Sequence, residues 1–314
     1  MRIIFVFVTL IAALQSAVIC AQQSPISVSS EPCYANGWDK ARWGQLKDAK
    51  FNLAALNLDS EFSADQLTQQ LRFCLADIDP EIRDGIGYFG LANWLREDLI
   101  SAPVRLSLFK SLLEDVQLLR NDKQQVYLPF AVLVLSEIVR VDRISTYLNT
   151  SQRQQVLDTL EAFLQHNTDY RGFDDQQGWR HIVAHSADVL LQLVLNTQLS
   201  EKQLIQVSQI VANNINPETL HFYQFDEPHR LMRPIIYAML REEVSPEFWQ
   251  AWIADNSMSK PLNSWGEAFE SKAGLAKRHN TKAFYLSLHA TAVSSGSEKL
   301  EAFLPSIQKA LAQF

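Results

Sequence analysis

The sequence predicts an all-α protein built of stacked helical hairpins, HEAT-like in spacing. Three observations carry that expectation. Apolar residues recur with helical period along most of the chain. Helix starts are marked by Ser, Asp or Asn caps, several of them followed by Pro. No alternating strand pair, and no Asn-Gly or Asp-Gly turn between apolar runs, occurs in the 314 residues.

The first segment reads as a cleaved signal peptide, residues 1–21. Arg2 supplies its positive end, Ile3 to Leu14 its apolar centre, and "AVICAQQ" places the cut after Ala21. Cys20 follows the bulky Ile19, so lipid attachment ranks behind simple export to a bacterial periplasm or beyond. Residues 22–37 read as a linker and 38–314 as a single helical domain. No later segment is long and apolar enough for a membrane span. Loss of Arg2 with the leader leaves 27 basic against 35 acidic residues, a formal charge of −8. Without a Lys/Arg cluster, such a chain gains nothing from phosphate neutralisation, which argues against nucleic acid as a partner. Cys33 and Cys74 remain as an even pair, readable as a disulfide or, for Cys74, as a core residue on the face of Leu67 and Leu71.

Further along, Ser63 with Gln66 forms a capping box, and Asp79-Pro80, Asn216-Pro217 and Ser245-Pro246 each read as a cap followed by Pro at the first helical position. Stripes come next: Leu106, Phe109, Leu112, Leu113 and Val116, then Val156, Leu157, Leu160, Phe163 and Leu164. Pro129 to Val139 is apolar nearly all round, which predicts a buried helix in this helical company. Pair starts near Ser63, Ser101, Ser151, Ser200 and Ser245 recur at HEAT-like intervals. Gly85, Gly87 and Gly90 have dinucleotide-loop spacing, but no strand precedes them, so close helix packing is the expected role.

No Ser-centred elbow, HExxH or Walker pattern is present. The densest chemistry lies in "RGFDDQQGWRHIVAHSADVL", Arg171 to Leu190. A helix starting around Trp179 or His181 puts His181, His185 and Asp188 on one face, with Gln192 extending the row. That trio is a candidate zinc-ligand set with an open position. Without metal it is a candidate acid–base group, or a polar helix face with no chemistry. Arg171, Asp174 and Trp179 precede it as a candidate pocket wall.

At these residues the chain resembles a bacterial family designated domain of unknown function 2785. "DPEIRDGIGYFGLANWL" upstream and "FDEPHRLMRPIIYAML" downstream support the resemblance, which spans roughly Leu71 to Ile253. It implies a helical, HEAT-like fold and sets Arg83, Asp84, Arg171, Gly172, Gly178, Trp179, His181, His185, Asp188, Glu227 and Arg230 at characteristic positions. Pro228 and His229 depart from its acid-rich pattern. It implies no activity.

Two functions stand as expectations. One is an exported helical-repeat protein holding a ligand or partner at a polar pocket of Arg83, Asp84, Arg171, Asp174, Trp179, His181, His185, Asp188, Glu227 and Arg230. The alternative is a hydrolase, metal-dependent or acid–base, using His181, His185 and Asp188.

Overall fold

A computed structural model describes residues 27–217 and 220–314; the expected signal peptide and the first part of the linker lie outside the described residues. Helices run in the order α1 (Lys40–Asp48), α2 (Ala64–Cys74), α3 (Pro80–Ile82), α4 (Phe89–Arg96), α5 (Ala102–Gln117), α6 (Tyr127–Ile144) and α7 (Thr150–Gln165). They continue as α8 (Ile182–Val194), α9 (Glu201–Ile215), α10 (Glu227–Arg241), α11 (Pro246–Asn256), α12 (Lys272–Ser294), α13 (Glu298–Glu301) and α14 (Leu304–Leu311). Between α7 and α8 sits a hairpin of two very short antiparallel strands, β1 (Phe173–Asp174) and β2 (Gly178–Trp179), the one sheet among the described residues. The all-α expectation holds apart from that hairpin.

Alternate helices are neighbours. α4, α6, α8, α10 and α12 lie side by side in one row; α2, α5, α7 and α9 form a second row behind it. Within each pair α5–α6, α7–α8 and α9–α10, the two helices also touch. α6 is buried nearly all round because it packs on α4, α5 and α8, as its continuous apolar run requires. In the second row, the predicted stripe of α7 is buried from Val156 to Leu164, whereas in α5 Leu106 is only half-buried and Leu108 takes its place in the core.

Caps explain most helix starts. Ser63 and Ser200 form reciprocal capping boxes with Gln66 and Gln203, and Asp79 and Ser245 cap helices that open on Pro. The α7 start lies slightly earlier than expected, at an Asn149–Gln152 capping box. Asn216-Pro217 acts in the opposite sense to the prediction. Asn216 closes α9, and α10 begins only at Glu227.

Cys33 and Cys74 are joined in a disulfide with Cα atoms 4.8 Å apart, and both are fully buried. The pairing and the core reading therefore coincide. Residues Arg83–Tyr88 form a π-helical turn between α3 and α4. Its glycines serve packing: a Cβ on Gly87 would stand 3.1 Å from the Leu75 backbone nitrogen, and one on Gly90 would stand 2.9 Å from side-chain atoms of Leu71 and Phe51.

Candidate functional site

Three helices of the front row, α6, α8 and α10, enter the fold just after a non-glycine residue in the left-handed region. These are Gln125 (φ 63°), His181 (φ 60°) and Asp226 (φ 71°). Each such residue stores on the order of 1 to 3 kcal/mol of strain, which persists only where neighbouring structure imposes it. Around His181 the imposing structure is explicit. Arg180 and His181 donate backbone hydrogen bonds to the carbonyls of Gly172 (2.9 Å) and Arg171 (3.1 Å), extending the β1–β2 ladder up to the helix. Of the two expected starts, Trp179 is too early, since it belongs to β2, whereas His181 is the N-cap of α8.

Two glycines fix this loop. A Cβ on Gly172 would lie 1.9 Å from the Phe225 ring. Gly178 sits at φ +69° and faces Arg83 and Pro80, each 3.2 Å from a Cβ built there.

The His181 ring stacks on Trp179, with centroids 4.8 Å apart and planes at 22°. Its Nε2 is buried without a hydrogen-bond partner among the described residues and stands 3.6 Å from Glu227 Oε1. Glu227 is 2% exposed, and its other carboxylate oxygen accepts from the Phe225 N–H at 2.9 Å. Burial lowers the His181 pKa to about 4, with Arg230 adding to the effect. Burial also raises that of Glu227, against backbone hydrogen bonds that lower it. Burial thus drives both groups toward their neutral forms.

His185, one turn on, faces Pro129 with its Nδ1 2.9 Å from the carbonyl oxygen. A carbonyl only accepts, so Nδ1 carries the hydrogen and Nε2 keeps its lone pair. The imidazole meets the Phe130 ring edge-on, and Arg83 caps the same ring with Cζ 4.6 Å from its centroid. Arg83 is fully buried in the π-turn, donating to Asp84 (2.6 Å) and to the Gln177 carbonyl (2.8 Å), while its Nη1 has no partner among the described residues. Sequence-distant residues thus form one stack: Arg83, Phe130, His185, His181 and Trp179.

Burial pushes the His185 pKa down to about 3. Both histidines bind protons more readily unfolded than folded, so the stability they contribute is complete above about pH 6.5 and is lost as pH falls toward 4 and then 3. Asp84, Asp188 and Glu227, all raised by burial, oppose this trend. Between pH 7 and pH 4.5, the urea midpoint should therefore fall further for the wild type than for His185→Gln. Equal falls would show that His185 is not held neutral by the fold.

Asp188 departs from the predicted trio. It lies on the expected face, as does Gln192, which accepts from Arg143 at 3.1 Å. Its carboxylate, however, is taken by a two-point ion pair with Arg230 rather than by the histidines. Among the described residues no group of three or more His, Cys, Asp or Glu side chains is placed to hold a metal ion. The expected three-ligand zinc set of His181, His185 and Asp188 is thus not formed, because Arg230 draws the third ligand away.

The pocket also differs from the expected one. A cavity of about 730 Å³ opens at the N-terminal ends of α6, α8 and α10, a size suited to a small organic ligand. Arg171 and Asp174 line it, together with Arg180, His221 and Phe225. His181, His185, Asp188, Glu227, Arg230, Arg83, Asp84 and Trp179 are not in its wall. The link is aromatic: Trp179 touches Phe173 (5.1 Å) and Phe225 (5.9 Å), both of which line the cavity. Sequence reasoning missed Arg180 although it stands between Trp179 and His181. A helix begun at Trp179 hides it, whereas a loop ending at His181 turns it toward the hairpin.

Comparison with known families matches residues 112–290 to the model described as "Protein of unknown function (DUF2785)". The match takes in the central and downstream segments and leaves out the upstream segment with Arg83 and Asp84. No curated protein and no solved structure matches.

Proposed function

The chain belongs to the DUF2785 family, a family of unknown function, and from its own site we propose that it is an exported binding protein for a small molecule. The ligand seats in the cavity at the entrance of α6, α8 and α10. The observation that carries this reading is the convergence of the loops before those helices on one cavity, with the His181–Glu227 couple behind its Phe225 wall. Two further features support the wider picture. The Cys33–Cys74 disulfide suits an oxidising compartment and hence removal of residues 1–21 on export. The two rows of alternating helices suit a HEAT-like solenoid, an architecture that offers ligand surfaces by its geometry.

A second reading, hydrolysis, draws on one observation: a buried histidine and a buried carboxylate stand 3.6 Å apart behind a cavity wall. In that reading His181 and Glu227 move a proton and His185 orients the site through its free Nε2. Asp188 holds Arg230 and serves as a positioning residue.

A thermal-shift screen of small molecules against the wild type and Thr168→Trp tests the binding reading. Thr168 is an exposed cavity residue, so the indole fills the space without entering the core. Compounds that raise the wild-type midpoint by several degrees should leave that of Thr168→Trp unchanged. Equal shifts in both would move the site elsewhere. Mass spectrometry of the bound compounds separates the two readings: breakdown that stops in Glu227→Gln supports hydrolysis, and unchanged compound supports binding.

A further inference from the structure

Four arginines are buried among the described residues: Arg83, Arg105, Arg153 and Arg180. The first three have a carboxylate partner: Asp84 at 2.6 Å, Asp98 at 2.7 Å and Asp142 at 2.7 Å. Arg180, 3% exposed, has none. Its Nη2 rests on two neutral oxygens, the Gln124 carbonyl and Gln177 Oε1, while neither Nε nor Nη1 has a partner among the described residues. A buried guanidinium without a counter-ion is costly, and folds ordinarily supply one.

The two acids nearest in the cavity wall are already engaged. Asp169 takes Arg171 through Nε (2.7 Å) and Nη2 (2.6 Å). Asp174 accepts the backbone N–H groups of Gln176 (2.9 Å) and Gln177 (2.8 Å) in its own turn. Burial, Arg171 and Arg83 lower the pKa of Arg180, and Asp169 and Asp174, neither in contact with it, offset this only in part. The N-terminal ends of α6, α8 and α10, all long helices, add partial positive charge at the same entrance.

We propose that the ligand of this cavity is an organic anion whose carboxylate or phosphate pairs with the Arg180 guanidinium, which has no carboxylate partner, its carbon body lying against Phe225 and Tyr170. The proposal rests on the cavity reading and names the chemistry that the cavity takes. The Nη1 hydrogens, which no described residue accepts, can donate to either headgroup.

The test uses the mature full chain and three probes at constant ionic strength: inorganic phosphate, benzoate and the neutral benzyl alcohol. Phosphate and benzoate should raise the melting midpoint of the wild type, and benzyl alcohol should not. The ratio of the two anion affinities identifies the preferred headgroup. In Arg180→Gln, shown folded by circular dichroism, the anion Kd should rise at least tenfold, with partial recovery in Arg180→Lys. If Arg180→Gln does not fold, Arg171→Gln reports instead and should weaken the anions several-fold. Absence of any anion effect, or its full survival in the folded variant, overturns the proposal. Protection by benzyl alcohol alone, lost in Thr168→Trp, would overturn the anion while leaving the cavity reading standing.

Discussion

Asp142→Ala should lower the unfolding free energy by about 3 to 5 kcal/mol, the range for breaking a buried ion pair from one side. Asp142 is fully buried near the end of α6 and accepts five hydrogen bonds. Two come from Arg153 (Nε 2.7 Å, Nη2 3.1 Å), two from the backbone N–H groups of Tyr147 (2.9 Å) and Leu148 (2.7 Å), and one from Asn196 (2.8 Å). The carboxylate therefore holds the α6–α7 turn and ties it to the α8–α9 turn. Alanine strands a guanidinium that is 3% exposed, and that desolvated charge accounts for most of the loss. Adding Arg153→Met should restore part of it, because no charge is then left buried alone. Urea midpoints with unchanged slope measure both changes. A loss under about 1 kcal/mol for Asp142→Ala would place the network outside the stability of the fold.

Reducing the Cys33–Cys74 disulfide is the second large effect. The bridge closes a loop with a sequence separation of 41 residues, and chain entropy alone assigns such a loop about 4 kcal/mol. It anchors the 3-10 turn Glu31–Tyr34 to the end of α2. Trp43 and Gln70 both donate to the Cys33 carbonyl, at 2.9 and 3.0 Å, so the reduced chain retains a local path to the same packing. The expected outcome is a lower urea midpoint in Cys33→Ala/Cys74→Ala and in the reduced wild type alike. A double variant as stable as the oxidised protein would mean that those hydrogen bonds alone hold the segment.

Helices with a full apolar stripe and a cap are readable from the residues because both signals are local. The α7 stripe and the Ser63–Gln66 box are examples. Asn216-Pro217 is not readable in the same way, since that pair suits the end of one helix or the start of another, and only the conformation of the next ten residues decides. The β1–β2 hairpin escapes because strands of two residues are too short to show alternation. At the site, helical spacing brings His181, the N-cap of α8, and His185 within ring contact. It cannot show that Arg230, 42 residues away, takes Asp188, or that Glu227 comes to face His181. Those pairings depend on α10 lying beside α8, which no local pattern encodes.

The π-turn at Arg83–Tyr88 has a consequence for how this chain tolerates change in length. A π-turn is an α-helix carrying one surplus residue, and each residue of a helix turns the side chains by about 100°. Deleting one residue from this turn should let α3 and α4 fuse into a single regular helix, a change that local hydrogen bonding favours. The same deletion would swing Arg83 about a quarter-turn around the helix, off Phe130 and away from the Gln177 carbonyl that it holds. The β1–β2 hairpin would then lose its tether to the N-terminal helices. The irregular turn acts as a phase adjuster between two segments of helix, and a shorter, more regular chain would leave the loop carrying Arg180 without its anchor.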